Sequence, residues 1–211
     1  MGTGILATTR ELEPLDYINN ITKPVHSVMF YNDEKKSRQI EYTFILNGLR
    51  KEEHCIYITD ENTNQIAAKM KTYGINLEKF LDKKLLHVCQ LQKLKGSTNY
   101  ILNNARKVLE EIVKDVKPPR RAVGRSVRDI STKSGILAEI KLEEGFHESF
   151  ASFNGAFLCT YPYKQIEPSQ KERSMTDIIY NHHAALFIPT HGTGKALVFK
   201  HGRSLDGLIN G

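Results

Sequence analysis

The sequence predicts an α/β domain with a mostly parallel central sheet covered by helices on both faces. Short β-favouring apolar runs recur along the chain, amphipathic stretches at helical spacing separate them, and proline, glycine and capping residues punctuate the joints. With 211 residues, 40% of them hydrophobic, the chain can bury a core of ordinary size.

Residues 1–23 hold Pro14 and a brief apolar pattern, Leu15, Ile18 and Ile21, before Lys23-Pro24 interrupts the chain. They read as an N-terminal arm or docking helix ahead of a single domain over 24–211. Val25 to Tyr31 is a compact strand signal, followed by polar residues and then Ile40, Phe44, Ile45 and Leu49 at helical spacing. His54 to Thr59 repeats the strand signal, and Asn62 with Gln65 resembles a capping box for a helix that stops at Gly74. Leu85 to Cys89 reads as a third strand. Ser97 or Thr98 caps a helix whose apolar positions run from Ile101 to Val116, ending before Pro118-Pro119. A strand over Ala122 to Val127, a helix over Gly135 to Ser152 and a strand over Ala156 to Tyr161 come next. Ser174 with Asp177 then opens a helix reaching His182, Ala185 to Ile188 is a strand, and Leu197 to Lys200 suits a sheet edge.

Alternation of this kind places ligands beyond the carboxyl ends of the strands. The positions that follow strands include Tyr31-Asn32-Asp33, Thr59-Asp60, Arg125 to Asp129, Cys159-Thr160-Tyr161 and Pro189 to His191. In a P-loop protein the first strand would run into a glycine-rich loop whose N–H groups cradle phosphates. Here it runs into Asn32-Asp33-Glu34-Lys35-Lys36-Ser37-Arg38, without glycine and with two acids, although the lysines and Arg38 keep donors nearby. Gly192-Thr193-Gly194-Lys195-Ala196 imitates the end of such a loop. It lacks the opening glycine and the hydroxyl for magnesium, and too little chain follows to build a nucleotide-binding sheet, so it reads as a hairpin or loop.

No uninterrupted apolar stretch of membrane-spanning length and no signal-peptide pattern occurs, which leads us to expect a cytoplasmic protein. Cys55, Cys89 and Cys159 are widely spaced and suit buried thiols. The net charge of +6 favours anionic partners, but apart from Arg120, Arg121, Arg125 and Arg128 the basic residues are dispersed. Arg121 and Arg125 fall on one face of a strand, where their guanidinium groups could grip a carboxylate or phosphate, or pair with Glu139, Glu143 or Glu144 of the next helix. His182 and His183 are adjacent and point about 100° apart on a helix, unlike a helical metal pair. Cys159 with His183 or His191 could form a nucleophile and base, yet its apolar strand favours a structural thiol. No metal, cofactor or catalytic constellation is expected.

In order along the chain, HSVMFY, YTFILNGLRKEEHCIYIT, RRAVGRS, AFLCTYPY and NHHAALF resemble the MEDS family of sensory domains over about residues 24–190. The resemblance rests on His26, Tyr31, Gly48-Leu49, Arg121 with Gly124, the Cys159-x-Tyr161 pair and a histidine at 182 or 183. Pro162 departs from it, standing where the family usually has an acid. The resemblance implies a RecA-like three-layer sandwich with a degenerate phosphate loop and a non-catalytic role in sensing a small molecule. Output would pass through a partner such as a histidine kinase or transcription regulator, or through a homo-oligomer. Candidate ligand contacts are His26, Tyr31, Asn32, Arg38, Arg121, Arg125, Cys159, Tyr161, His182 and His183. The alternatives are a nucleotide binder with an aberrant loop and, third, a nucleic-acid-binding accessory protein using the arginines.

Overall fold

A computed structural model describes residues 7–91, 96–125 and 129–200. Eight strands form one sheet: β1 (Ala7–Leu12), β2 (Val25–Tyr31), β3 (His54–Thr59), β4 (Leu86–Gln90), β5 (Arg120–Arg125), β6 (Gly155–Pro162), β7 (Ala184–Ile188) and β8 (Lys195–Lys200), in the order β1-β8-β7-β2-β6-β5-β3-β4. The run from β7 to β4 is parallel throughout. At one edge β8 pairs antiparallel with both β7 and β1.

Residue alternation along the strands sorts the sheet into two apolar faces. Met29, Tyr31, Tyr57, Val123, Leu158 and Leu186 face α1 (Pro14–Asn19), α2 (Glu34–Arg50), α3 (Thr63–Thr72) and α4 (Leu77–Asp82). Val28, Phe30, Ile56, Ala122, Phe157, Cys159 and Tyr161 face α5 (Thr98–Lys114), α6 (Lys133–Glu148), α7 (Phe150–Phe153) and α8 (Lys171–Tyr180). Three layers result, as expected.

The capping residues act as the sequence implies. Asn62 accepts hydrogen bonds from the N–H groups of Asn64 and Gln65, and Ser97 accepts from Tyr100 N–H. Gly74, at φ +80°, closes the turn after α3.

Several expectations need correction. The N-terminal segment does carry a docked helix, with Tyr17 and Ile18 buried, but it also supplies the edge strand β1, an element not expected from its sequence. Leu197–Lys200 belongs to a strand that begins at Lys195, and β1 covers it, so it is not the edge. The helix assigned to start at Ser174 begins at Lys171, because a 3-10 turn over Pro168–Gln170 feeds directly into it. Cys55 and Cys159 are buried, but Cys89 is half-buried on β4 at the opposite edge. Val127 and Arg128 lie outside the described residues. Among the described residues no helix is long and apolar enough to cross a membrane.

Candidate functional site

At the carboxyl end of β2, where a RecA-like domain would hold phosphates, two residues connect strand to helix. Asn32 N–H donates to Ile188 O, and Asp33 caps α2 by accepting the Lys36 N–H at 3.0 Å. That N–H, with the Lys36 ammonium beside it, holds the Asp33 carboxyl below its ordinary range. Lys36 Nζ donates to the carbonyls of Thr190 and Gly192 at 3.1 and 3.0 Å. The helix N-terminus therefore already carries its own anion and its lysine is engaged.

The arginines are likewise neutralised from within. Arg125 Nη1 donates to Glu41 Oε1 and Nη2 to Glu34 Oε2 and the Tyr31 hydroxyl, while Arg38 pairs with Glu34, Glu61 and the buried Glu41. Tyr57 bridges Arg38 and Glu41 through its hydroxyl. Burial raises the Tyr31 phenol well above its ordinary range, despite the opposing Arg125 charge, so it stays neutral and its oxygen accepts from Arg125 Nη2. Arg121 sits near the amino end of β5, paired with Glu53 and donating to Phe44 O. Arg120 donates to backbone carbonyls of Val116 and Phe153. The ion-pair reading of the arginines is correct, but the partners are not those of α6. Side chains of Arg121 and Arg125 emerge on the α2 face, whereas α6 covers the other face.

On that other face lies a buried polar cluster. His26 opens β2, Cys159 and Tyr161 come from β6, Glu139 and Glu143 sit one turn apart on α6, and His182 follows α8. His26 Nε2 stands 3.2 Å from Glu143 Oε2 and 3.4 Å from Cys159 Sγ, and His182 Nε2 stands 3.5 Å from the same carboxylate oxygen. The Tyr161 hydroxyl bridges Glu139 and Glu143. Rings of Phe146, Phe150 and Phe157 enclose His26. Burial, reinforced by the neighbouring His26, holds His182 well below the ordinary histidine range. His183 points elsewhere, its Nδ1 accepting the His26 N–H at 3.0 Å, so the adjacent histidines do serve different places.

A third feature is a cavity of about 510 Å³ at the carboxyl ends of β2 and β7, walled by Phe30, Phe187, Ile188, Pro189, Tyr163, Gly194 and Leu197, with Asn32, Thr193 and Lys195 as polar residues. Gly194, at φ +87°, sits where a Cβ would lie 2.4 Å from Phe187 O. The glycine-rich decoy thus forms the β7–β8 hairpin connection and one wall of the cavity.

Tyr31, Arg121 and Tyr161 do not converge: they occupy the α2 face, the amino end of β5 and the α6 face. Sequence reasoning missed Glu41 and Tyr57 on the first face and the convergence of Glu143 on the second. An acid at 41 within the apolar stripe of Ile40, Phe44 and Ile45 is the one local signal that could have found Glu41.

The architecture defines a RecA-like three-layer domain in which Asp33 caps the helix that follows β2. The chain matches the family described as MEDS, MEthanogen/methylotroph, DcmR Sensory domain, over residues 25–182, and belongs to that family. Its fold is similar to that of the KaiC-like protein PH0186 from the hyperthermophilic archaeon Pyrococcus horikoshii OT3. The TM-score is 0.57 at 12% identity, covering 87% of this chain and 82% of that one. No curated protein sequence matches the chain.

Proposed function

We propose that the chain is a non-catalytic sensory module that binds a small, predominantly apolar molecule in the cavity beside Phe30 and Phe187. The observation that carries this is the cavity itself, about 510 Å³ at the carboxyl ends of two parallel strands, with aromatic walls and few polar groups. Membership of a sensory family supports the reading. The capped helix and self-neutralised arginines argue against nucleotide as the ligand and against these arginines as a nucleic-acid face. Output then passes to a separate regulator or kinase, or through self-association.

Thermal shift of the purified chain against short alcohols, small organic acids and halogenated hydrocarbons tests this. A ligand at about 100 Kd adds roughly 2.7 kcal/mol, a rise of about 5–10 °C for a domain of this size. The expected result is a saturable rise with one apolar class, weakened in Phe187→Ala. A rise undiminished in Phe187→Ala, or none across the panel, would overturn the cavity as the site.

A further inference from the structure

We propose that His26, Glu143, Cys159 and His182 form a closed binding site for one zinc-like divalent transition-metal ion. One ligand atom from each lies within 4.8 Å of all the others, and all four residues are buried. Tetrahedral zinc with Zn–N near 2.0 Å and Zn–S near 2.3 Å places its ligand atoms about 3.3–3.6 Å apart. Three of the six separations, 3.2 Å for His26–Glu143, 3.4 Å for His26–Cys159 and 3.5 Å for His182–Glu143, lie in or within about 0.1 Å of that range, and the remaining three are within 4.8 Å.

The hydrogen bonding around the cluster points the same way. His182 Nδ1 lies 2.7 Å from Ile178 O, and a carbonyl can only accept, so Nδ1 carries the proton. The Nε2 lone pair of the neutral ring then faces the Glu143 carboxylate with no hydrogen bond of its own. Two acceptors held face to face in an apolar enclosure call for a cation between them. Tyr161, hydrogen-bonded to Glu143 Oε1, leaves Oε2 to point at both histidines. Support of this kind behind His182 and Glu143 is what metal sites use to fix their ligands, whereas the Nδ1 of His26 has no hydrogen-bond partner among the described residues.

Charge and softness choose the ion. A thiolate and a carboxylate with two neutral imidazoles balance a divalent ion, so the ion and its four ligands together carry no net charge beside the rings of Phe146, Phe150 and Phe157. Mixed sulfur, nitrogen and oxygen donors suit zinc or cobalt better than calcium or magnesium. Four protein ligands fill the coordination sphere, so the ion cross-links β2, β6, α6 and the segment after α8 without activating water. This site is separate from the apolar cavity, and neither proposal depends on the other.

Cobalt(II) titration of the tag-free, chelator-treated full chain tests it. The expected result is an intense tetrahedral d–d spectrum with a thiolate charge-transfer band, both saturating at one ion per chain and abolished by zinc. Cys159→Ser should remove the charge-transfer band, and Tyr161→Phe should weaken zinc binding by about 10- to 100-fold. Absence of a tetrahedral spectrum in the folded chain, or a charge-transfer band that survives Cys159→Ser, overturns the proposal. Should Cys159→Ser fail to fold, the melting temperature of the unaltered chain in zinc against chelator decides: a rise with zinc supports the site, and identical values overturn it.

Discussion

Arg125 Nη1 donates to Glu41 Oε1 at 2.5 Å, joining the end of β5 to the middle of α2 through two buried, oppositely charged side chains. The guanidinium is further held by Glu34 and Tyr31, and stands over the Tyr31 ring at 4.9 Å from its centroid. These groups lie near the carboxyl ends of the parallel strands β2 and β5, and they satisfy one another. Removing Glu41 leaves the buried Arg125 and Arg38 guanidinium groups one carboxylate short, and breaking a buried pair in this way costs about 3–5 kcal/mol. Glu41→Ala should therefore lower stability by that amount in chemical denaturation. Replacing both, as Glu41→Leu with Arg125→Met, should recover most of it, because an apolar pair needs no counterion. Equal losses for the single and double variants would show that the ion pair is not the determinant.

Gly48 explains why α2 can lie so close to β5. A Cβ at this helical position would meet Arg121 Cδ at 2.6 Å and Cys55 Sγ at 2.7 Å. Arg121 is fully enclosed and clamped by Glu53, so it has little room to yield. Gly48→Ala, which gains helix propensity on an open surface, should here destabilise by about 1–3 kcal/mol through overpacking. Urea melts of the two proteins measure the difference, and a stabilised variant would contradict the close approach.

Glu34 contributes to the acid side of the stability profile. Its partial burial raises the carboxyl pKa, but the Arg125 and Arg38 guanidinium groups outweigh this and hold it below its ordinary 4.5. The unfolded chain then binds a proton at a higher pH than the native one, so the stabilisation is present above pH 4.5 and is lost as pH falls through the lower native value. Glu34→Gln should flatten the stability profile below that pH and change its slope little near neutrality. Melting curves from pH 7 downwards would show an unchanged acid arm if the pairing contributes nothing.

Much of the fold could be read from residue order because each strand signal is local: VHSVMFY, HCIYIT and AFLCTYP are continuous apolar runs of the kind that parallel sheets bury on both sides. The strand ATTREL has no such run and takes its place by pairing with β8 at the far end of the chain, a contact invisible to local pattern. The site was legible residue by residue but not as an assembly. His26, Cys159 and His182 each stood out, yet they meet at Glu143 only because β2 and β6 are neighbours and α6 lies across both. The arginine partners were misassigned for a related reason. The next helix in sequence covers one face of the sheet, and the parity of Arg121 and Arg125 sends them to the other.

Magnesium ATP or GTP should leave the melting temperature unchanged. A phosphate arriving at the start of α2 would have to displace the Asp33 carboxylate from the Lys36 N–H and draw Lys36 Nζ away from Thr190 O and Gly192 O. It would also meet Glu34, whose carboxylate already serves Arg38 and Arg125. Phosphate-binding loops work by presenting unengaged N–H groups and a lysine at a helix N-terminus. Here the corresponding groups are bound within the chain, and the nearby acids repel an anion. Asp33→Ala frees the cap but leaves Glu34 in place and supplies no glycine-rich turn, so it should not create nucleotide binding. A magnesium-dependent rise with ATP in the unaltered chain, lost in Lys36→Ala, would show that the cap opens and that nucleotide binding survives in this domain.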